Sequence, residues 1–341
     1  MPMFAYSNTD CAASAMIWKP SLIRKPMRCM CVLPSLASEL ARCPESYPST
    51  SFVSQRFTAR MASRHPANPI ETEHIMTQAH RGTALITGAS SGIGAVYADR
   101  LARRGYDLIL VARNRDRLAA LAERITNDTQ RSVEIVDADL NDRAALAAVE
   151  AKLKQDASIT LLVNNAGVGT HAPLLDSDVD AMTRMIDLNV TSLTRLTYAA
   201  VPGFVARGHG AVINISSIVA ISPETLNGVY GGTKAFVLAF SQSLHHELAG
   251  KGVQVQAVLP GATATDFWQT GGLPLEHLPK EIVMSASDLV DAALVGFERG
   301  ELVTIPSLHA GDEWAAYEAA RRTMAPHLSA DTPAPRYATA H

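Results

Sequence analysis

The sequence has few cysteines, and all of them lie near its beginning. Of 341 residues only four are cysteine, at positions 11, 29, 31 and 43. The spacing of Cys29 and Cys31 is too tight for the usual zinc or redox CxxC motif. The rest of the chain therefore depends on a hydrophobic core rather than on disulfides. We expect an intracellular, reducing compartment, with a cytoplasmic location.

Two other features are missing, a surplus of one charge and a long apolar run. The formal net charge is -3, which argues against a nucleic-acid partner, because phosphate binding needs an excess of Lys and Arg. No apolar run reaches the roughly 18 residues that a membrane-spanning helix requires, so no integral membrane protein is expected. His245, His246 and Glu247 do not match an i, i+4 zinc pair, and no metal site is predicted.

The first part of the chain differs in composition from the rest. Residues 1–75 hold eight basic and five acidic residues, a charge of +3, which leaves -6 for the remainder. They show no periodicity and no secretory signal pattern, although scattered arginines give them some likeness to an organelle-transit segment. We interpret residues 1–77 as a disordered leader, or as an upstream-start artefact ahead of Met76. Residues 329–341 are predicted to be a flexible tail.

From Thr83 onwards, short strands rich in Val, Ile and Leu alternate with helical stretches. The predicted strands cover residues 83–87, 107–112, 133–138, 159–164, 211–216, 253–259 and 301–306. The predicted helices cover residues 95–105, 115–127, 143–155, 178–207 and 229–248. Continuous apolar strands are typical of parallel sheets buried on both faces. This pattern predicts an α/β, Rossmann-like, doubly wound parallel sheet of about seven strands, with helices on both faces, over residues 78–328.

A glycine-rich turn joins the first strand to the first helix. Gly88 permits the sharp turn, Gly92 lets the backbone approach a phosphate, and Gly94 lets the helix pack closely on the strand. The free N–H groups and partial positive charge of a helix N-terminus suit a pyrophosphate. Ser90, Ser91 and Ile93 complete this predicted cofactor-binding turn.

The spacing GxxxGxG, with later motifs in order, resembles the short-chain dehydrogenase/reductase family over nearly all of residues 80–325. The further motifs are Asn164-Asn165-Ala166-Gly167, Asn189, the set Ser217, Tyr230 and Lys234, and Pro260-Gly261 with Thr265. The resemblance implies a nicotinamide cofactor. It also implies that Asp139 and Leu140 border the adenine, although Asp139 could equally cap its own loop.

The charge of the residue at the end of the second strand predicts which nicotinamide cofactor binds. An acidic residue there would bind a free ribose 2′-hydroxyl, whereas arginine favours a 2′-phosphate. Arg113 occupies this position, so NADP(H) is predicted and NAD(H) is disfavoured. A solvated surface arginine is the alternative interpretation. The resemblance further implies that Asn165, Ala166 and Gly167 border the adenosine ribose.

Tyr230 and Lys234 lie four residues apart at the start of a helix, so their side chains share one face. A free tyrosine has a pKa of about 10, and a nearby ammonium is expected to lower it into the range of a general acid–base. Ser217 follows a strand and can hold a substrate oxygen. Strand alternation aims its neighbour Ser216 at the opposite face. The pattern predicts hydride transfer between the nicotinamide and a carbonyl or secondary alcohol.

The family resemblance assigns further roles. It implies that Lys234 binds the nicotinamide ribose, and that Asn189 holds a water in a proton relay to Lys234. It also implies that Pro260, Gly261 and Thr265 fix the nicotinamide carboxamide. A non-catalytic NADP(H)-sensing Rossmann module is the alternative function, because fold does not fix function.

The segment 262–283 follows the predicted nicotinamide contact and is apolar. It contains Phe267, Trp268 and three leucines, with a possible hinge at Gly271-Gly272. We interpret it as a substrate lid, which suggests an uncharged or apolar small-molecule carbonyl or alcohol. The helices at 178–207 and 229–248 are apolar on more than one face. The family commonly pairs such helices between subunits, so a homodimer or homotetramer is expected.

Overall fold

The computed structural model describes residues 80–337. The predicted leader, residues 1–77, lies outside the described residues, as do the last four residues of the predicted tail. Seven strands of one parallel sheet are β1 (Thr83–Thr87), β2 (Asp107–Ala112), β3 (Val133–Asp137), β4 (Ile159–Asn164), β5 (Gly210–Ile215), β6 (Val253–Val258) and β9 (Val303–Thr304). Two further short strands, β7 (Thr263–Ala264) and β8 (Met284–Ser285), pair with each other in parallel.

Nine α-helices occur among the described residues. They are α1 (Gly92–Arg103), α2 (Arg115–Thr129), α3 (Arg143–Gln155), α4 (Val179–Ile186), α5 (Leu193–Arg207), α6 (Gly228–Glu247), α7 (Phe267–Thr270), α8 (Ala286–Glu298) and α9 (Gly311–Met324). Most of the long ones begin at a side-chain cap, such as Asn114 of α2, Asp142 of α3 and Asn227 of α6. Such caps accept hydrogen bonds from otherwise unpaired first-turn amides. None of these helices is long and apolar enough to span a bilayer.

The strand order in the sheet is β3-β2-β1-β4-β5-β6-β9, and every neighbouring pair is parallel. Alternate residues of β1 enter two separate cores. Ile86 packs with α1, α2 and α8 on one face, while Leu85 packs with α3 and α5 on the other. The predicted Rossmann-like, doubly wound sheet of seven strands with helices on both faces is confirmed. Its order reverses between β1 and β4, where ligands of such sheets bind.

Helices α8 and α9 were not predicted, and α1 begins at Gly92 rather than at residue 95. Two predicted elements differ further from the structure. The strand predicted at 301–306 pairs only over Val303–Thr304, because β9 is an edge strand that contacts β6 at two residues. The helix predicted at 178–207 is interrupted by a π-helical turn at Asp187–Ser192, between α4 and α5. A π turn widens the helix by one residue and commonly lies at functional sites. Here it contains Asn189.

Candidate functional site

One large cleft lies at the carboxyl edge of the sheet, beside the point where the strand order reverses. Its volume is about 1260 Å³. All of the predicted site residues line it except Gly94 and Asn189. The lining members are Gly88, Ser90, Ser91, Gly92, Ile93, Arg113, Asp139, Leu140, Asn165, Ala166, Gly167, Ser217, Tyr230, Lys234, Pro260, Gly261 and Thr265. The structure therefore brings together motifs that are far apart in the sequence.

The glycine-rich turn forms the floor of one end of this cleft. Gly88 and Gly92 have φ angles of +65° and +53°, which L side chains rarely adopt. A Cβ atom at Gly94 would lie 2.4 Å from the backbone oxygen of Gly88, so only glycine lets α1 approach the turn this closely. Ser91 begins α1 without a side-chain capping bond, and the first turn has no acidic residue. These first-turn amides and the helix dipole fit a pyrophosphate.

Two cationic side chains of the cleft, Arg113 and Arg117, lie near the end of β2. Arg113 is exposed, and its guanidinium forms no hydrogen bond or ion pair with any residue in the range 80–337. Asn114 accepts a hydrogen bond from the backbone N–H of Arg117 at 2.9 Å and so caps α2. An unpaired guanidinium beside a capped helix fits the 2′-phosphate of NADP(H), since arginine offers a rigid fork of donors to phosphate.

The residues predicted at the adenine and ribose have mixed roles. Asp139 accepts a hydrogen bond from the backbone of Asn141 at 2.9 Å, so it caps its loop while it lines the cleft. The Nδ2 atom of Asn165 donates to the backbone oxygens of Thr87 and Gly88 at 2.9 and 3.1 Å. This side chain therefore joins the ends of β1 and β4.

The three residues expected to carry the chemistry are close together and buried. Ser217 and Tyr230 are 7% and 6% exposed, and both side chains line the cleft. The Nζ atom of Lys234 lies 5.8 Å from the centre of the Tyr230 ring and donates to the backbone oxygen of Ile215 at 2.9 Å. Ser216 donates to the backbone oxygen of Lys234 at 2.7 Å, although it also lines the cleft, so the predicted orientation toward the opposite face stays a prediction.

The electrostatics of this set differ from the prediction. Burial raises the pKa of Tyr230 to about 12, and the Ser217 side chain opposes this only in part. Burial also lowers the pKa of Lys234 to about 8. The expectation that the ammonium lowers the tyrosine pKa below 10 is therefore wrong for this arrangement. Removing both groups from water outweighs an attraction over this distance.

Asn189 lies beneath the cleft. Its amide exchanges two hydrogen bonds with the backbone of Val168, at 3.0 and 2.8 Å, and donates a third to Thr233 at 3.1 Å. A Cβ atom at Gly167 would lie 3.0 Å from Asn189 Oδ1 and 3.5 Å from Lys234 Nζ. The side chain thus fixes the loop after β4 against α6. Its predicted part in a proton relay stays a prediction.

The end of β6 and the segment after it form the opposite wall. The backbone oxygen of Pro260 accepts hydrogen bonds from the Ser217 hydroxyl at 3.4 Å and from the Ile218 amide at 3.0 Å. Ser307 borders Gly261, where a Cβ atom would lie 3.5 Å from its Oγ. These contacts hold the predicted nicotinamide residues beside Ser217.

The predicted lid, residues 262–283, contains β7 and leads to β8, and the pairing of these two strands joins the ends of the loop 265–283 between them. The Phe267 ring lies 5.6 Å from the Tyr230 ring, between centres. A Cβ atom at Gly169 would lie 2.4 Å from Phe267 and 3.0 Å from Tyr230, so a larger residue here would have to displace the Phe267 ring. His171 is hydrogen-bonded to the backbone oxygen of Gly271 at 2.9 Å. Sequence reasoning missed these lid contacts, because they join distant parts of the chain.

No group of three or more His, Cys, Asp or Glu side chains in the described range could hold a metal ion. The part of the cleft near the lid is lined mainly by apolar side chains. They are Val219, Leu226, Phe267, Trp268, Leu273, Leu278 and Ile282. Such a surface suits an uncharged group.

Comparisons with known proteins agree with this geometry. A short-chain dehydrogenase from Sphingobium yanoikuyae, solved in complex with NADPH, is 50% identical with a TM-score of 0.73, over 75% of this chain and 100% of that one. A bulky-bulky ketone specific alcohol dehydrogenase from Comamonas testosteroni is 44% identical with a TM-score of 0.70, over 75% of this chain and 98% of that one.

More distant relatives share part of their length with this chain. Very-long-chain 3-oxoacyl-CoA reductase from Bos taurus is 36% identical over 186 residues, which are 53% of this chain and 59% of that protein. The profile of the family described as short chain dehydrogenase matches residues 82–272. We conclude that the chain is an oxidoreductase and belongs to the short-chain dehydrogenase family.

Proposed function

We propose that the protein is an NADP(H)-dependent oxidoreductase that transfers a hydride between the nicotinamide and a carbonyl or secondary alcohol. The observation that carries this proposal is the meeting of Ser217, Tyr230 and Lys234 in the cleft that also contains the glycine-rich turn. Each of these side chains alone would be unremarkable, but their common place beside a dinucleotide cradle matches one chemistry.

Each residue of the site has a separate role in carbonyl reduction. Bound NADPH would supply the hydride to the carbonyl carbon. The Ser217 hydroxyl, held beside the phenol, orients the carbonyl oxygen and stabilises the charge that develops on it. Tyr230 is protonated at neutral pH, because its pKa is about 12, and it donates its proton to that oxygen. Alcohol oxidation runs the same steps in reverse.

Lys234 acts on the charge that this proton transfer leaves behind. The pKa of its buried amine is about 8, so most of it is protonated at neutral pH. An ammonium beside Tyr230 stabilises the phenolate, although burial sets the resting pKa of the phenol high. Lys234 thus contributes most when Tyr230 has lost its proton.

The preference for NADP(H) rests on Arg113. Its guanidinium lines the cleft and has no hydrogen-bond or ion-pair partner among residues 80–337, and an arginine at the end of β2 supports binding of a ribose 2′-phosphate. The NADPH complex of the relative from Sphingobium yanoikuyae supports this choice. Arg113→Gln should weaken NADPH binding by about tenfold and leave NADH binding little changed, whereas Arg115→Gln, on the exposed side of the same turn, should change neither.

The substrate is proposed to be an uncharged or apolar ketone or alcohol. The apolar lid and the Phe267 ring against Tyr230 support this, because an apolar group would be buried beside the proton donor. The relative from Comamonas testosteroni is described as specific for bulky-bulky ketones. A ketone with two large apolar substituents is therefore the first substrate to test.

The test is Tyr230→Phe, with Tyr317→Phe as the matched control, since Tyr317 is 47% exposed on α9 and does not line the cleft. A panel of ketones and alcohols is assayed with NADPH and NADP⁺, and with NADH and NAD⁺. Tyr230→Phe should abolish turnover while NADPH, followed by fluorescence, still binds. A fully active variant would refute the mechanism. A wild-type protein that binds NADPH but converts no substrate would favour the sensing module instead.

A homodimer or homotetramer is proposed to form through α5 and α6. The rings of Tyr198 and Phe240 are stacked with 6.4 Å between centres, and Phe236 stacks on Phe240 at 5.6 Å. Tyr198 and Phe236 are 68% and 38% exposed, and a second copy of the same face would cover both. Tyr198→Glu should reduce the molar mass measured by light scattering. The cytoplasmic location stays a prediction.

A further inference from the structure

The first residues of the lid contact two opposite walls of the cleft. A Cβ atom at Gly92 would lie 3.0 Å from Thr265 Cγ2, so the lid begins directly against the glycine-rich turn. Two residues later, Phe267 packs on Tyr230. The first residues of the lid thus connect the glycine-rich turn with Tyr230, the two ends of the region that a bound dinucleotide would occupy.

Asp266, between these two contacts, reaches a third wall. Its Oδ2 atom lies 3.0 Å from Nη1 of Arg117, which is 149 positions earlier in the chain. Both residues line the cleft, Arg117 on α2 at the adenosine end and Asp266 at the start of α7. The ion pair thus joins the two sides of the opening.

Neither side chain is needed by its own helix. Asp266 precedes α7 but forms no side-chain capping bond there. Arg117 is anchored through its backbone N–H, which donates to Asn114, and its side chain is free to reach across. The pair is half exposed, with 57% and 64% of the two side chains accessible, so it can open without a large desolvation change.

We propose that Arg117 and Asp266 form a strap across the dinucleotide cleft, which holds α7 closed and slows the release of bound NADP(H). The two are positioning residues, because they act through the lid and the Phe267 ring rather than on the reacting atoms. The effect on release rests on the proposed function, whereas the effect on the lid does not.

The first experiment follows the lid without added dinucleotide. Hydrogen exchange of the backbone amides of residues 267–273 is compared between wild type, Asp266→Asn and Arg115→Gln. The control residue Arg115 lies in the same turn of α2 as Arg117, is exposed, and does not line the cleft. Asp266→Asn should increase the exchange rate about two- to fivefold, the range that exposed ion pairs contribute, and the control should not. Equal rates in all three proteins would overturn the strap.

The second experiment measures the rate of NADPH dissociation by stopped-flow fluorescence. Arg117→Gln and Asp266→Asn should each increase it about two- to fivefold, and the double variant should add little to either. Raising the ionic strength should bring the wild-type rate toward that of Asp266→Asn, because salt screens exposed charges. Arg117→Lys keeps the charge and should restore most of the slow release.

Arg117 lines the same end of the cleft as Arg113, so direct binding of the 2′-phosphate is the competing role. The two roles predict opposite results for Asp266→Asn. If Arg117 were only a phosphate ligand, removing its carboxylate partner would slow NADPH release, and that result would overturn the strap. Failure of the wild type to bind NADPH would refute the proposed function, while the exchange experiment would still decide whether the pair holds the lid.

Discussion

Substitution of Gly94 by alanine tests the dinucleotide cradle at its tightest point. The new Cβ would lie 2.4 Å from the Gly88 oxygen and 2.5 Å from Asn165 Nδ2. Real Cβ contacts are at least 3.0 Å, and the Gly88 atom is backbone, so the turn or α1 has to shift by more than half an ångström. Overpacking of this kind costs about 1–3 kcal/mol. Replacing glycine by alanine inside a helix also stabilises the helix by about 1 kcal/mol, which offsets part of this cost.

The expected net loss for Gly94→Ala is therefore about 0–2 kcal/mol in the free energy of unfolding. The displaced turn should also weaken NADPH binding by about tenfold, which corresponds to about 1.4 kcal/mol. The matched control is Gly232→Ala in α6, where a Cβ atom would meet nothing within 4 Å. The free energy of unfolding of Gly232→Ala should be about 1 kcal/mol higher than that of the wild type, and its affinity for NADPH should be unchanged.

Denaturant unfolding and fluorescence titration with NADPH measure both quantities on the same preparations. The reasoning would be refuted if Gly94→Ala bound NADPH with wild-type affinity, or if it gained as much stability as Gly232→Ala. Either result would mean that the close approach of α1 to the turn is not required for the cradle.

Three further predictions concern buried polar groups. The kcat/KM of carbonyl reduction should fall as the pH rises above about 8. Burial lowers the pKa of Lys234 to about 8, and the neutral amine cannot stabilise a phenolate. A pH profile that stays flat to about pH 10 would contradict this. Tyr97→Phe should raise the free energy of unfolding by about 1 kcal/mol in denaturant titrations, since the hydroxyl of Tyr97 is buried without a hydrogen-bond partner among residues 80–337; a decrease would show that the hydroxyl is satisfied. Burial tends to raise the pKa of Asp99, but hydrogen bonds from three arginines outweigh it and hold the pKa at about 2. Because the folded pKa lies below the unfolded value of 3.8, the stabilisation is present above about pH 4 and is lost as the pH falls towards 2. Asp99→Asn should thus cost about 2 kcal/mol at pH 7, with a difference from wild type that closes in acid, and Asp331→Asn should cost nothing.

The parts of the structure that follow local rules could be predicted from the sequence. The apolar strands, the glycine-rich turn and the four-residue spacing of Tyr230 and Lys234 each depend on neighbours in the chain, and the fold they imply is confirmed. The strand ends then bring the predicted residues to one edge, because parallel strands share their direction. Together with the family resemblance, this accounts for the predicted site residues that line the cleft, which are all of them except Gly94 and Asn189.

What could not be predicted depends on burial and on distant partners. The pKa of Tyr230 depends on how completely the folded protein removes it from water, which no spacing reveals. The role of Asn165 in joining β1 and β4 depends on where the backbone oxygens of Thr87 and Gly88 point. The contact of Asp266 with Arg117 crosses 149 positions, and no periodicity predicts it.

The two short strands at the base of the predicted lid join the ends of that segment at one place in the molecule. Because β7 and β8 pair with each other, the chain leaves the cleft and returns to it at neighbouring points. Changing the length of a loop between fixed ends costs only about 0.6 kcal/mol per doubling. Insertions and substitutions in the loop between β7 and β8 are therefore expected to change which substrates bind while the seven-stranded sheet keeps its structure. A library of variants that differ only in the loop between β7 and β8 is therefore a practical way to change substrate selectivity.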